Sequence, residues 1–219
     1  MKALRNKKIL ITAGPTWVPI DTVRVISNSA TGETGMLLAR EARKQGGRVT
    51  VLLGPVTGCN QVGKTINLIR FRYFDELSMK LKSELKKRVY DAVIHSAAVS
   101  DYKPGTTTHK KIGSGINKLS IPLVPTNKLI DSIKNYDPKT LLVGFKFDPR
   151  AEKKKLLELA KILMKRSGAD LIVANSAPKK RYLAYIVEKE KIRGPFFSKA
   201  KMAKELIHKT GELLCLKPN

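Results

Sequence analysis

Cysteine is nearly missing from this chain: Cys59 and Cys215 are the only two in 219 residues. They form neither a disulfide framework nor a zinc-ligand spacing, and neither has a sequence-adjacent base that would make it a nucleophile. Long apolar runs are missing too, since nothing approaches the roughly 18–20 residues of a membrane span. The opening "MKALRNKKILITAG" enters a strand too early for a signal peptide. A cytoplasmic protein with no membrane partner is therefore expected. There is no internal repeat, low-complexity segment or Pro/Gly/Ser linker, so residues 1–219 read as a single domain.

Acidic residues are scarce as well: 18 stand against 43 basic ones, a formal net charge of +25. Such an excess raises the question of a polyanionic partner. The basic residues run from Lys2 to Lys217 without forming a tail or stripe, and aromatic side chains, the stacking platforms for single strands, are only 6%. The charge therefore reads as a Lys-rich solvated surface serving small anionic substrates, with no specific nucleic acid.

What the chain does contain includes a false lead. "GCNQVGKT", Gly58–Thr65, fits the phosphate-loop pattern G-x-x-x-x-G-K-[ST]. That pattern works only where a strand runs into the first Gly and a helix starts at the Lys. Here "GPVT" separates the strand from Gly58, and the following "INLIRFRY" reads as another strand, so the segment is a loop.

The rest alternates strand and helix periods. "KKILITA", "RVTVLL", "TINLIRF", "YDAVIHSA", "TLLVGFKF", "ADLIVAN" and "YLAYIVE" are strands. "TGMLLAREARKQ", "FDELSMKLKSELKKR" (capped by Asp75), "NKLIDSIKN", Ala151–Ser167 and "SKAKMAKELIHKT" (capped by Ser198) are helices. Continuous apolar strands between helices predict an α/β fold: a mainly parallel, Rossmann-like sheet with helices on both faces. Ligands in such sheets sit at the C-terminal strand ends. Attention therefore falls on the loops Ala13–Thr34 and Ala97–Lys118.

In the first loop, "ISNSATGETG" sets Ser27, Asn28, Ser29 and Thr31 beside Gly32 and Gly35 at a helix start. Free N–H groups and the helix dipole bind anions there, although a plain capped helix explains the segment equally well. In the second, Ser96, Ala97 and Ala98 give close access to the sheet edge, and Asp101 precedes Lys103, Lys110 and Lys111. That Asp is placed to hold Mg2+ or a nucleotide hydroxyl; a salt-bridged turn is the alternative. His95 sits inside a strand and reads as a packed or hydrogen-bonded histidine.

"ILITAGPTWVPIDTVRVISNSATGETG", "VIHSAAVSDYKP", "KKIGSG", "LLVGFKF" and "ADLIVAN" occur in one order that resembles phosphopantothenoylcysteine synthetase, the phosphopantothenate–cysteine ligase of coenzyme A biosynthesis. The resemblance runs from about Lys8 to the last helix. It implies a free-standing ligase without flavin, and a homodimer. The implied reaction activates 4′-phosphopantothenate with a nucleoside triphosphate and Mg2+, CTP being favoured over ATP, and then couples it to cysteine. Residue by residue, it implies Asn28 at the reacting carboxylate and acyl intermediate, and Lys111 as the catalytic Lys. It implies Arg24, Ser29, Thr31, Gly32 and Gly35 toward the substrate, with Ser96, Ala97, Ala98, Asp101 and Phe145 on the nucleotide. Lys161 and Lys165, one helical turn apart, are the candidates for the helical phosphate lysines.

The chain departs from the family pattern in "GSG" after Lys111, in "PTNKLI" at the base pocket and in Lys146 of "GFKF". The rival classes are a nicotinamide-dependent reductase and a basic nucleic-acid-binding protein. The reductase lacks support: the first loop has no G-x-G-x-x-G and no Tyr-x-x-x-Lys pair is suitably placed.

Overall fold

A computed structural model describes residues 2–56, 65–87, 89–115, 117–178 and 181–216. The strands are β1 (Lys8–Ala13), β2 (Trp17–Pro19), β3 (Val25–Ser27), β4 (Arg48–Leu53), β5 (Asn67–Arg70), β6 (Ala92–His95), β7 (Tyr102–Pro104), β8 (Leu123–Pro125), β9 (Leu141–Phe147), β10 (Leu171–Ser176), β11 (Leu183–Val187) and β12 (Ile192–Phe196). The helices are α1 (Glu33–Lys44), α2 (Phe74–Lys87), α3 (Leu129–Tyr136), α4 (Lys153–Ser167) and α5 (Lys199–Leu216).

Eight strands form one sheet in the order β12-β11-β10-β9-β6-β1-β4-β5. From β5 across to β10 every pairing is parallel, and β11 and β12 extend the edge antiparallel. The chain order therefore reverses between β1 and β6. In an open α/β sheet that reversal opens a crevice at the carboxyl ends of the two strands, here Ala13 and His95.

The apolar runs are continuous because both faces are covered. Ile9, Ile11 and Ala13 pack into the layer of α1 and α5, through residues such as Met36, Leu38, Leu206 and Ile207. Leu10 turns to the other layer, with Leu77 of α2, Ile133 of α3 and Leu156 of α4. This period of two sends successive side chains of one strand into separate cores. Each fully buried Leu or Ile contributes about 1.5–3 kcal/mol.

Two local details differ from the sequence reading. The two long loops are not wholly irregular: the first folds back as a β2–β3 hairpin, and the second carries β7, which pairs with β8. Asp75 is not a cap but lies in the first turn of α2, where its charge meets the positive end of the dipole. Glu76 of the same turn reaches back ahead of the helix, its carboxylate accepting from Arg72 N–H at 2.8 Å. Ser198 immediately precedes α5, and its carbonyl accepts the first helical bond, from Met202. Gly58–Lys64 of the phosphate-loop match, and Cys59 with it, lie outside the described residues.

Candidate active site

Beyond the ends of β1 and β6 the two loops remain stitched together. Ser96 donates through both N–H and Oγ to Thr12 O, and Ala97 N–H donates to Thr12 Oγ1. Ala98 N–H then reaches Gly14 O at 2.9 Å, and Thr16 N–H returns to Ala98 O at 3.3 Å. Ser100 and Thr16 continue the seam, with Ser100 N–H on Thr16 Oγ1 at 2.9 Å. The small residues of "SAAVS" are what allow this approach.

Asn28 crosses the seam. Its Nδ2 donates to Ala98 O at 3.1 Å and Val99 O at 3.3 Å. Both partners are carbonyl oxygens, so the amide nitrogen must face them. That leaves Oδ1, an acceptor, as the other polar atom of this cavity-lining side chain.

Two adjoining cavities open around this point. The larger, about 630 Å³, is lined by Asn28, Ser29, Ser96, Ala97, Ala98, Asp101 and Phe145, among others. Candidates from three segments, the first loop, the second loop and β9, are thus brought together. The smaller, about 380 Å³, lies over the start of α1 and takes in Ser29, Thr31, Gly32, Gly35 and Ser96. Gly32 occupies the left-handed region (φ +74°) and no side chain caps the helix. Thr31 Oγ1 accepts Glu33 N–H at 3.4 Å and Gly32 O accepts Met36 N–H at 3.1 Å, which leaves the N–H groups of Thr34 and Gly35 to face an anion. Gly35 is required for packing: a Cβ there would stand 2.3 Å from Ala13 Cβ.

Sequence reasoning missed part of the wall. Ser176 Oγ, Asn175 Oδ1 and Tyr182 OH are buried without a hydrogen-bond partner among the described residues and border the smaller cavity. Burial, then the charge of Glu33, pushes the Tyr182 hydroxyl above its ordinary pKa, so it stays protonated and a donor. A strand ending "ANS" after an apolar run was the available signal. Lys199 stands at the same opening, paired with Glu33 at 2.5 Å. In the larger cavity Lys128, Lys146 and Arg166 supply cationic groups. Lys128 Nζ pairs with Asp101 at 2.5 Å, so the Asp turns out to be both a cavity residue and half of a salt bridge.

His95 lines the larger cavity but is buried, with Nδ1 3.0 Å from Thr12 Oγ1. Burial lowers its pKa to about 4, so the ring is neutral near pH 7.

Other expected residues stand apart from the cavity walls. Arg24 Nη1 donates to Asp21 Oδ2 at 2.8 Å and Ile112 O at 3.2 Å. Lys111, exposed, lies next to that anchored Ile112 and lines neither cavity. Lys161 and Lys165 are exposed on α4 while Leu163 and Arg166 of the same helix line the larger cavity. At 100° per residue the lysine pair lies roughly 150° around the helix from that face. Among the described residues no group of three or more His, Cys, Asp or Glu is arranged to hold a metal.

Residues 4–213 match the family model of the DNA/pantothenate metabolism flavoprotein C-terminal domain. The chain is 37% identical over 175 residues to a coenzyme A biosynthesis bifunctional protein CoaBC of Thermococcus kodakarensis, covering 80% of this chain and 42% of that protein. It is 34% identical over 210 residues to the CoaBC of Borreliella burgdorferi, covering 93% of this chain and 52% of the relative. It thus spans about half the length of these curated relatives. A solved structure of the C-terminal domain of CoaBC superposes with a TM-score of 0.82 at 26% identity, covering 99% of this chain and 100% of that one.

Proposed function

This chain belongs to the family of the DNA/pantothenate metabolism flavoprotein C-terminal domain, and from that membership we propose that it is the ligase joining 4′-phosphopantothenate to cysteine. The substrate carboxylate attacks the α-phosphorus of a nucleoside triphosphate. An acyl–phosphate bond forms, and pyrophosphate leaves as the bond to the β-phosphate oxygen breaks. The cysteine amine then attacks the acyl carbon, forming the amide and releasing the nucleoside monophosphate, while its surplus proton passes to solvent. No electrons are transferred, so this chemistry calls for no flavin despite the family description. The reductase and nucleic-acid alternatives gain nothing from the comparisons.

The observation that carries the proposal is the amide of Asn28 bridging the two loops where the cavities meet. A triphosphate, a phosphorylated acid and an amine must converge to react, and positioning with fixed dipoles supplies most of such a rate enhancement. The larger cavity suits a nucleoside: Phe145 offers an apolar face, and Asp101 with Lys128 offers polar partners for base or sugar. Phosphates fit the start of α1, where Tyr182 and Ser176 add donors. Asn28 serves the acyl intermediate and Lys111 the triphosphate, with Arg24 beside the substrate; Lys161 and Lys165 are assigned to phosphate only if the ligand extends around α4. Mg2+ would enter with the triphosphate and offset charge on the departing pyrophosphate, since it needs only one or two protein carboxylates. Asp101 is a carboxylate lining the larger cavity and fits that modest demand.

The assembly is read as a homodimer. Tyr102 and Leu123 on the β7–β8 ribbon and Val23 on the neighbouring hairpin expose apolar surface suited to a second copy. Location is read as cytoplasmic; among the described residues no helix is long and apolar enough to cross a membrane. The test is continuous pyrophosphate release with CTP and with ATP at equal concentration. Turnover requiring both 4′-phosphopantothenate and cysteine is expected, faster with CTP. Turnover independent of either substrate would defeat the ligase reading, and faster turnover with ATP would reverse the nucleotide assignment alone.

A further inference from the structure

Asp21 occupies the tip of the β2–β3 hairpin with a side chain that is 0% exposed. Its two carboxylate oxygens do different work. Oδ1 accepts the N–H groups of Val23 at 2.8 Å and Arg24 at 2.6 Å, a local turn within the hairpin. Oδ2 reaches across 91 positions of sequence to Ile112 N–H at 3.0 Å, and accepts Arg24 Nη1 at 2.8 Å. Arg24 Nη1 also donates to Ile112 O, so both main-chain groups of Ile112 are held.

On the near side of this anchor Thr108 Oγ1 donates to Lys110 O at 3.0 Å, and beyond it few contacts hold the segment among the described residues. A Cβ at Gly113 or Gly115 would meet nothing within 4 Å. Lys110 and Lys111 are exposed. On the hairpin side, β3 leads from Arg24 into Asn28. One carboxylate therefore joins the segment of Lys111 to the segment of Asn28.

We propose that Asp21 is a positioning residue for the first half-reaction: its Oδ2 anchors Ile112 and thereby sets where Lys111 can reach. The inference rests on the ligase reading and on the role given there to Lys111. Asp21 touches no reacting atom. It acts by shortening the free chain on which Lys111 swings, which limits the conformations a flexible side chain must lose to meet the triphosphate. A carboxylate is needed because a hydrogen bond to a charged acceptor is about twice as strong as a neutral one.

The division between the oxygens gives a selective break. In Asp21→Asn, Oδ1 keeps the hairpin turn, while an NH2 group replaces Oδ2 and faces the donors of Ile112 and Arg24. The experiment combines amide exchange with a double-mutant cycle against Lys111→Ala, measuring acyl-nucleotide formation in a quench without cysteine. Expected for Asp21→Asn are unchanged protection at Val23 and Arg24 and exchange at Ile112 about tenfold faster, the scale of one lost charged hydrogen bond. Acyl-nucleotide formation should slow on the order of a hundredfold, the cost of misplacing a catalytic group. The double variant should be no slower than Lys111→Ala alone, because the two act in one unit. Losses that multiply would overturn the inference, as would unchanged exchange at Ile112. If Lys111→Ala alone has no effect, the role given to Lys111 fails; if no acyl-nucleotide forms even in the parent, the ligase reading fails. Ile112→Pro removes the same hydrogen bond from the other partner and serves if Asp21→Asn does not fold; full activity in it would also overturn the anchor.

Discussion

The amide of Asn28 faces the carbonyl oxygen of Ala98 at 3.1 Å, a donor from the first loop meeting an acceptor from the second. Asn28→Asp keeps the size and puts a negatively charged oxygen against two carbonyls. Asn28→Ala removes the bridge without that repulsion, because water can reach this exposed site. Asn28→Asp should therefore be the worse variant. It should still form acyl-nucleotide but pass it to cysteine on the order of a hundredfold more slowly, the scale of misplacing a reacting group when the two loops are forced apart. Equal damage from Ala and Asp in single-turnover kinetics would mean that shape, not polarity, is what matters here.

Gly35→Ala is expected to destabilise the fold by about 1–3 kcal/mol, the usual range for overpacking. The new methyl would lie 2.3 Å from Ala13 Cβ and 3.0 Å from Ser96 Oγ, so α1 must shift off β1. Adding Ala13→Gly removes the nearer obstacle and should recover most of the melting temperature. A double variant no better than Gly35→Ala alone would contradict this account of the contact.

Acid should weaken the protein in two separate windows. The folded pKa of His95 is about 4 against 6.5 for the free group, because of burial. As pH falls from 6.5 to 4 the unfolded chain takes up a proton that the folded chain refuses, and stability declines. Asp21 is depressed from 3.8 to about 2, chiefly by the Ile112 N–H bond. Its contribution is complete above about pH 4 and is lost as pH falls toward 2. Urea midpoints across pH 7 to 2 should show His95→Gln flattening only the upper window and Asp21→Asn only the lower. A parent-like slope between pH 6.5 and 4 in His95→Gln would mean that another group governs the upper window.

The parallel sheet was legible because its strands are continuous apolar runs separated by helical periods. The β2–β3 hairpin, the β7–β8 ribbon and β12 were not. The two ribbons use three-residue strands, and β12 combines exposed positions with Gly194 and Pro195, so none carries a burial pattern. At the site, motifs led to Asn28, Ser96 and Asp101 because each lies at the end of a readable strand or in the loop following one. Tyr182 and Lys199 join the cavity by tertiary approach from the far end of the chain, which local pattern does not encode. Lys161 and Lys165 had the right mutual spacing, but spacing alone does not say which face of α4 the cavity meets.

The charge of +25 should give only weak, salt-sensitive adhesion to nucleic acid. Binding to DNA or RNA is expected to vanish at about 0.15 M salt, where the screening length is near 8 Å. Turnover should persist at that salt, because its ligands meet a few local groups at short range. A submicromolar, sequence-selective complex under those conditions would restore the nucleic-acid reading.

Ser29, Ala30, Thr34, Ser96, Phe147 and Asn175 border both cavities, so the two adjoin and share part of one floor. A single molecule carrying a nucleoside-like head and an anionic tail would bridge them across these six residues. Once its head is bound, the tail meets the start of α1 at an effective concentration that a short linker sets in the millimolar range. Tethered inhibitors of that design gain affinity from the common floor, and their optimum linker length measures the span between the two subsites.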